Sequence, residues 1–262
     1  LLAFVDRAHD AEAAERAVAH ARDGGFDNVS VDLMFGIPGE TLAEWHEDLE
    51  RALRLRPDHL SCYNLTFEPG TRLDRDRRRG RTGPNDDEVD RAMFEHTRVR
   101  LAERGYAAYE ISNFAGRGGP CRHHVRYWRQ GDYVGAGQGE SRHRRGVRVT
   151  NLKALDAWAE AALTGLSCAA SAETLRPLQR AAEALWLGIR RTEGVSVAAV
   201  EDRIDVRLQE RLLPLVERHE REGLVAWDGD RLRLVGEGLL QADRVGGDYL
   251  GLGVAARSGR PS

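Results

Sequence analysis

Helical and extended patterns alternate along the first 115 residues, and glycine and proline separate them. An alanine-rich segment with apolar residues at helical spacing runs from about 11 to 23 and stops at two glycines, a signal typical of a helix end. A mostly apolar strand follows over 29–35, and Thr41 with Glu44 predicts a capping box at the next helix start. Such alternation predicts right-handed crossovers and a parallel sheet or barrel, with the active site at the carboxyl ends of its strands.

The same pattern predicts further elements up to residue 114. They are a helix running towards Leu55, a strand over 59–67, a polar arginine-rich loop to about Pro84, a helix over 86–104 and a strand over 106–114.

The last third of the chain has a different character. An amphipathic helix is predicted over 173–188 and another from about 208 to Gly223, and alternating residues around 228–230 indicate a hairpin. A final helix is predicted from about Glu237. Helices followed by a hairpin predict a small winged-helix-like α+β domain over 171–262, after parts covering 1–115 and 116–170. Acidic residues are interleaved with the basic ones, which disfavours a winged-helix nucleic-acid binder and favours a structural or partner-docking module.

Composition narrows the class of protein. The formal net charge is −3, which does not favour nucleic acid, and no apolar run is long enough to span a bilayer. Three widely spaced cysteines argue against a disulfide framework and indicate a reducing compartment. We therefore expect a cytoplasmic protein without stable membrane insertion.

Residues 121–128 concentrate groups that can hold a large planar ligand. The segment contains Cys121, His123, His124, Tyr127 and Trp128 directly after a glycine-rich loop, which predicts that it is displayed and not part of a regular core element. Imidazole and thiolate are axial ligands of haem iron, and aromatic rings pack on a flat macrocycle. A structural hydrogen bond for His123 and plain core packing for the two aromatic rings remain open alternatives.

Several segments in order resemble the oxygen-independent coproporphyrinogen III oxidase-like branch of radical SAM proteins. They are residues 31–41, 60–66, 68–71 and 109–115. Residues 121–128 resemble the CxHNxxYW motif of the HemW-type haem chaperones in this family, a motif absent from the true oxidases, and 132–137 resemble the glycine-rich segment that follows it. The resemblance covers nearly the whole chain.

This resemblance implies the C-terminal half of a partial (β/α) TIM-like barrel that holds a [4Fe-4S] cluster and S-adenosylmethionine. It implies contacts to S-adenosylmethionine from Arg7, Asp32 and Thr66, although Asp32 could instead be paired with backbone or with an arginine. The CxxxCxxC motif that binds the cluster does not occur in this sequence, and the three cysteines present do not replace it. We therefore expect no metal ligands in this chain and interpret it as an N-terminally truncated fragment.

Two positions depart from the family pattern. His124 stands where the family usually has asparagine, and Ser141 stands near a position where histidine is common, with His143 close by. The extra imidazole could add an iron ligand or a different hydrogen bond.

The resemblance implies a haem chaperone that binds haem at His123, His124, Tyr127 and Trp128 and delivers it to an apo-haem protein of the respiratory chain. The alternative is an oxidase that decarboxylates coproporphyrinogen III through a 5′-deoxyadenosyl radical. We expect no nucleic-acid partner; a peripheral membrane contact and a homodimer are left open.

Overall fold

The computed structural model describes residues 9–254, and the chain divides into two units between Cys121 and Arg122. Within that range the first unit builds a four-stranded sheet, and the second builds two three-stranded sheets. None of the described helices combines the length and the apolar character needed to cross a bilayer. The division of the chain after residues 115 and 170 stays a prediction.

The first unit alternates helices and strands, as the sequence predicts. Its elements in chain order are α1 (Ala11–Asp23), β1 (Ser30–Phe35), α2 (Leu42–Arg54), β2 (His59–Asn64), α3 (Arg72–Arg78), α4 (Asp87–Glu103), β3 (Ala107–Ala108) and β4 (Asn113–Ala115).

Side chains close the first turns of these helices. Asp10 accepts a hydrogen bond from the Ala13 N–H at 2.7 Å before α1. Before α2, Thr41 accepts from the Glu44 N–H at 3.3 Å while Glu44 accepts from the Thr41 N–H at 2.9 Å, which confirms the capping box. Each such cap stabilises a helix by about 1 kcal/mol.

The core of the first unit lies between one face of the sheet and the helices α2 and α4. Its buried members include Phe35, Trp45, Leu49, Leu60, Cys62, Met93, Leu101 and Phe114. Complete burial of a large apolar side chain contributes about 1.5–3 kcal/mol, so the members of this cluster together stabilise the unit substantially.

The sheet is parallel only in part. β1 and β2 pair in parallel, whereas β4 pairs antiparallel with β2 and with β3, which gives the order β1-β2-β4-β3. The prediction of one strand over 106–114 is therefore wrong: the segment folds back on itself. Only four residues separate β3 from β4, too few for a crossover, so the two strands must be antiparallel.

The turn after β1 depends on a backbone conformation that favours glycine. Gly36 has φ +75°, and a Cβ there would lie 2.7 Å from Nδ2 of Asn64 and 3.0 Å from Oδ1 of Asp90. The buried Glu40 carboxylate accepts from the Ile37 N–H at 3.1 Å and closes the turn. Burial raises the pKa of Glu40.

The arginine-rich stretch predicted as a loop contains the helix α3. Buried Asp74 explains this, because its carboxylate lies 3.1 Å from Arg77 Nη2 and 2.9 Å from Arg78 Nη2. It also accepts from the Gly70 N–H at 3.1 Å. One buried carboxylate thus orders a segment that its arginines alone would leave solvated.

The second unit is built from short helices and two small sheets. Its elements in chain order are α5 (Arg122–Trp128), β5 (Ser141–Arg144), β6 (Val147–Asn151), α6 (Leu155–Thr164), β7 (Ala169–Thr174), α7 (Pro177–Gly188), β8 (Val195–Ser196), α8 (Val197–Ile204), α9 (Gln209–Arg221), β9 (Val225–Trp227), β10 (Arg231–Leu234) and α10 (Ala242–Gly251).

Three sequence predictions need correction in this unit, and one of them is the final helix, which was expected from about Glu237 but begins at Ala242 after a short 3-10 turn over Gly236–Gly238. The segment expected to be displayed outside regular structure forms α5, and the helix expected from residue 173 begins at Pro177 because β7 occupies the preceding residues. The antiparallel sheet β5-β6-β7 was not predicted. The one feature of the sequence that indicates this sheet is Gly146. In the structure Arg145 and Gly146 both have positive φ, which is the geometry of a tight hairpin turn.

The predicted hairpin and helices near the C-terminus form a winged-helix-like arrangement. β8 and β9 flank β10 in an antiparallel sheet, and α7, α8 and α9 precede the β9–β10 hairpin. Asp230 in the hairpin turn accepts from Ser196 Oγ at 3.0 Å and from the Ala198 N–H at 2.9 Å. These bonds attach the wing to the start of α8.

A buried hydrogen bond between α2 and α4 gives a first test of the core. The indole N–H of Trp45 donates to Thr97 Oγ1 at 2.8 Å, and Thr97 in turn donates to the Met93 carbonyl at 2.6 Å. We expect Thr97→Val to lower the opening free energy of α4 by about 1–3 kcal/mol, because the indole N–H loses its acceptor. Native-state hydrogen exchange of the α4 amides measures this energy.

Thr164→Val is the matched control for that experiment. Thr164 also donates to the carbonyl four residues earlier, but it lies at an exposed helix end and accepts no indole bond. Equal effects of the two substitutions on their own helices would contradict the role assigned to the indole bond.

A histidine pair joins the same two helices. His46 Nδ1 and His96 Nε2 lie 2.9 Å apart, so a proton on one ring is shared with the lone pair of the other. Burial, followed by the His46 imidazole and Arg100, lowers the pKa of His96, while Glu103 and Glu50 oppose the shift.

This pair predicts a loss of stability in mild acid. His96 has its usual pKa of 6.5 in the unfolded chain and a lower one when folded, so its contribution is present above pH 6.5 and is lost as the pH falls below it. We expect His96→Gln to flatten the decline in unfolding free energy between about pH 7.5 and 5.5. Urea denaturation across this range measures the slope, with exposed His20→Gln as control; an unchanged slope in His96→Gln would refute it.

Candidate functional site

The sheet of the first unit has a polar face opposite its core. The register places Asp32 of β1 beside Ser61 of β2 and places Asn113 of β4 on the other side of Ser61. Ser61 is 1% exposed and Asn113 is 2% exposed, whereas Asp32 is open to solvent. Because alternate residues of a strand point to opposite faces, this polar row lies away from the apolar cluster formed with Leu60 and Cys62.

A histidine lies at one end of this polar face. His59 Nδ1 is 2.8 Å from Ser30 Oγ, and His59 Nε2 is 2.9 Å from the Tyr109 hydroxyl. Burial raises the pKa of Tyr109, so its phenol keeps its proton and can donate to Nε2. The hydroxyl groups of Ser30 and Tyr109 thus flank the two ring nitrogens of His59.

A buried carboxylate completes the face. Glu110 Oε1 accepts from Asn113 Nδ2 at 2.5 Å and from the Ser112 N–H at 2.9 Å. Arg98, whose guanidinium donates to the Ile111 carbonyl at 3.3 Å, has its pKa lowered by burial, and the charge of Glu110 opposes this shift. The buried polar groups are thus fixed by one another, and Asp32 is left to face solvent.

The residues expected to contact S-adenosylmethionine are placed as follows. Asp32 lies inside β1, three residues before its end, and within the described residues no donor is bound to its carboxylate. Thr66 lies two residues past β2, is exposed, and accepts from the Glu68 N–H through its carbonyl at 3.1 Å. Arg7 lies outside the described residues. An exposed carboxylate on a polar sheet face fits the ribose hydroxyls or amino group of S-adenosylmethionine as an acceptor.

The cysteines do not fit an iron–sulfur cluster. Cys62 is buried on the core side of the sheet, and burial raises the pKa of its thiol. Cys168 donates weakly to the Trp158 carbonyl at 3.9 Å. Across residues 9–254, no three His, Cys, Asp or Glu side chains are placed to hold one metal ion.

The helix α5 displays His123 at the end of a row of rings. The ring centroids of His123 and Tyr127 are 4.4 Å apart and the planes meet at 78°, an edge-to-face contact. Tyr127 meets Tyr133 in the same way at 4.5 Å, and Tyr133 lies 6.0 Å from His143. Spacing of four residues along a helix brings the first pair together.

The inner end of the row is anchored by backbone. Tyr133 and His143 exchange N–H···O hydrogen bonds of 2.9 and 3.1 Å in an isolated bridge. His143 is 5% exposed; its Nδ1 lies 3.4 Å from the Gly131 carbonyl and 3.9 Å from Asp132 Oδ1. Burial raises the pKa of Tyr133, so the ring next to Tyr127 stays a neutral phenol.

His124 and Trp128 lie apart from this row. The His124 ring is partly buried, with its centroid 6.4 Å from that of His123 and the planes tilted by 52°. The guanidinium of Arg190 lies 5.2 Å from the Trp128 ring centroid in a cation–π contact. Of the four predicted haem residues, the structure brings His123 and Tyr127 into contact and points Trp128 to a separate cationic group.

Buried Gln130 fixes the carboxyl end of α5 to other elements of the second unit. Gln130 adopts φ +51°, donates to the Arg180 carbonyl at 2.9 Å and accepts from Arg203 Nη2 at 3.1 Å. Arg203 also donates to the Arg129 carbonyl at 2.9 Å. The short helix is therefore held in place although most of its side chains are solvent-accessible.

Sequence reasoning missed several residues of both sites. They are His59, Tyr109, Glu110, Asn113, Tyr133 and Arg190. Four of them carry a signal, because Tyr109, Glu110, Asn113 and Tyr133 fall inside segments that resemble the family. His59 and Arg190 have no comparable signal, since one lies just before the segment that resembles the family and the other is one of many arginines.

Comparisons with known proteins show which chains this one resembles. A profile of the HemN C-terminal domain family matches residues 175–240. A Mycobacterium tuberculosis protein named "Heme chaperone HemW" is 35% identical over 251 residues, which cover 96% of this chain and 62% of the relative. A Synechocystis protein of the same name is 34% identical over 201 residues, covering 76% of this chain and 48% of the relative.

The fold also matches a solved structure. Escherichia coli coproporphyrinogen III oxidase (HemN), described as a radical SAM enzyme, superposes with a TM-score of 0.76 at 19% identity, covering 95% of this chain and 60% of that one. This confirms the predicted fold class, a part of a TIM-like radical SAM barrel followed by a winged-helix-like domain. The chain spans 62% of the length of the M. tuberculosis relative. The family profile, the named relatives and the solved fold all fit a HemW-type protein.

Proposed function

We propose that this chain is part of a haem chaperone that binds haem at α5 and delivers it to apo-haem proteins of the respiratory chain. The observation that carries the proposal is the exposed His123 ring, held edge-on by Tyr127 at 4.4 Å. The names of the HemW relatives support it. We place the protein in the cytoplasm.

The ring row explains how His123 can act as an axial ligand. An imidazole that ligates iron must keep its orientation, and neighbouring groups usually supply this. Here Tyr127 limits rotation of the His123 ring from one side, Tyr133 packs against Tyr127, and the bridge between Tyr133 and His143 fixes the row to the protein. The exposed side of His123 is free to take haem and to release it, as a carrier requires.

The polar face of the first sheet serves S-adenosylmethionine in this proposal. Asp32 would accept hydrogen bonds from the cofactor, and Thr66 would present its backbone, with Arg7 pairing with the methionyl carboxylate. A bound [4Fe-4S] cluster would supply one-electron chemistry to support haem handling. Its ligands are proposed to lie outside this chain, because the described cysteines do not converge.

The fold match to a coproporphyrinogen III oxidase makes radical decarboxylation the second candidate. The haem-binding segment separates the two functions, because an oxidase does not need an exposed axial ligand. Turnover of coproporphyrinogen III by the intact, cluster-loaded protein under anaerobic conditions would favour the oxidase.

We expect His123→Ala to weaken haem binding at least about tenfold and to change the Soret band, because loss of even an outer partner of a metal ligand usually costs 10- to 100-fold in affinity. Absorbance titration with haem measures both effects. His20→Ala, which removes an exposed histidine of α1, is the control. The double variant His123→Ala, His124→Ala tests whether the second imidazole substitutes; parent-like affinity and spectrum in that variant would sink the proposal.

We expect Asp32→Asn to weaken S-adenosylmethionine binding about tenfold, because the amide replaces a charged acceptor with a neutral one. Equilibrium dialysis measures the affinity directly, without activity. Asp27→Asn, an exposed aspartate just before β1, is the control. Identical affinities of the two variants would remove Asp32 from the site.

A further inference from the structure

Two residues at the carboxyl end of α5, Trp128 and Arg129, lie close to two residues that follow α7, Arg190 and Arg191. Trp128 contacts Arg190, and the following residues Arg129 and Arg191 both pair with Glu193, at 3.3 Å in the case of Arg129. The chain therefore places three guanidinium groups beside the last residue of the proposed haem-binding segment.

Positive charge exceeds negative charge in this cluster. Arg231 donates to the Glu193 carbonyl at 3.4 Å and Arg203 to the Arg129 carbonyl at 2.9 Å, which brings in two more guanidinium groups without any carboxylate. Burial and then repulsion from Arg129 and Arg231 lower the pKa of Arg191 to about 10. An additional anion would relieve this repulsion.

Buried donors at the same place lack acceptors. Within the described residues, neither Nε1 of Trp128 nor Nε of Arg190 has a hydrogen-bond partner, and both atoms are buried. A buried donor without a partner costs about 1–3 kcal/mol, and because both atoms are closed to solvent, a ligand oxygen can satisfy them only after neighbouring side chains move.

The present partner of Arg190 is easily displaced. Arg190 Nη1 lies 2.6 Å from Asp243 Oδ1; the Arg190 side chain is 18% exposed, but the Asp243 side chain is 87% exposed. A pair with such an exposed carboxylate contributes little, since water screens it. Another carboxylate can therefore take the place of Asp243 at small cost.

We propose that Arg190, assisted by Arg129 and Arg191, binds a propionate carboxylate of haem, and that Asp243 occupies the Arg190 guanidinium until haem arrives. The inference rests on the proposed haem-chaperone function. Trp128 lies five positions after His123, about 7.5 Å farther along the helix axis and about 140° around it, so a porphyrin ligated at His123 has to extend past the carboxyl end of α5 to bring a propionate to Arg190. Arginine suits this role because its planar fork pairs with a carboxylate through two parallel hydrogen bonds.

The test compares haem with haem dimethyl ester, which keeps the iron and the ring but lacks both carboxylates. Both ligands are titrated against the full chain and against Arg190→Gln, Asp243→Asn and a control. We expect the parent to bind haem about tenfold more tightly than the ester, since a charge-assisted hydrogen bond is worth that factor. Arg190→Gln should lose about tenfold in haem affinity and nothing in ester affinity.

Asp243→Asn should act in the opposite direction. It removes the competing carboxylate and should raise haem affinity by a few-fold without changing ester affinity. Arg244→Gln is the matched control, because Arg244 follows Asp243 on α10 and pairs with Glu222 at 3.2 Å. It should bind both ligands as the parent does.

The possible failures are distinguishable. Equal binding of haem and ester by the parent, or equal weakening of both by Arg190→Gln, would overturn the propionate site while leaving haem binding at His123 intact. Absence of haem binding by the parent would instead refute the proposed function. Arg190→Lys, which keeps the charge without the planar fork, should recover part of the preference for haem if Arg190→Gln loses it.

Discussion

The in-register parallel pairing of β1 with β2 is the constraint on which the first unit depends. It sets which side chains share a face: one face packs against α2 and α4, and the other carries the polar row from Asp32 to Asn113. A slip of one residue would exchange the two faces and bury the carboxylate in the apolar core. The same pairing therefore produces both the stability of the unit and the solvent-facing acceptor at its centre.

The second unit uses a different means to display a functional group. A seven-residue helix has little stability of its own, because the unfavourable free energy of helix nucleation exceeds the stabilisation from its few backbone hydrogen bonds. α5 is instead held by Gln130 and Arg203 at its carboxyl end and by the row of rings on one side. Order is thus imposed by contacts around α5, and its outer face stays open.

Much of the fold could be predicted from local patterns, because those patterns express local physics. The glycine stop after α1, the capping box at Thr41 and the turn at Asp228–Asp230 need no distant partner. The missed features depend on contacts far apart in sequence. Asp74 orders the arginine-rich helix only when buried, and the β3–β4 hairpin takes its place only because β2 is there to pair with it. In the site, residue type pointed to His123 and Asp32, whereas Arg190 could be identified only once Trp128 lay beneath it.

The turn of the wing has an electrostatic consequence. Asp228 accepts from the N–H groups of Arg231 at 2.7 Å and Asp230 at 3.0 Å, and these bonds hold its pKa below the usual value. The tip of the hairpin therefore stays anionic throughout the physiological pH range. A winged domain that grips DNA inserts its hairpin beside phosphates, where a fixed negative tip is repelled. At the tip of this wing the acidic residues Asp228 and Asp230 are followed directly by Arg231, so the negative charge is confined to the turn itself.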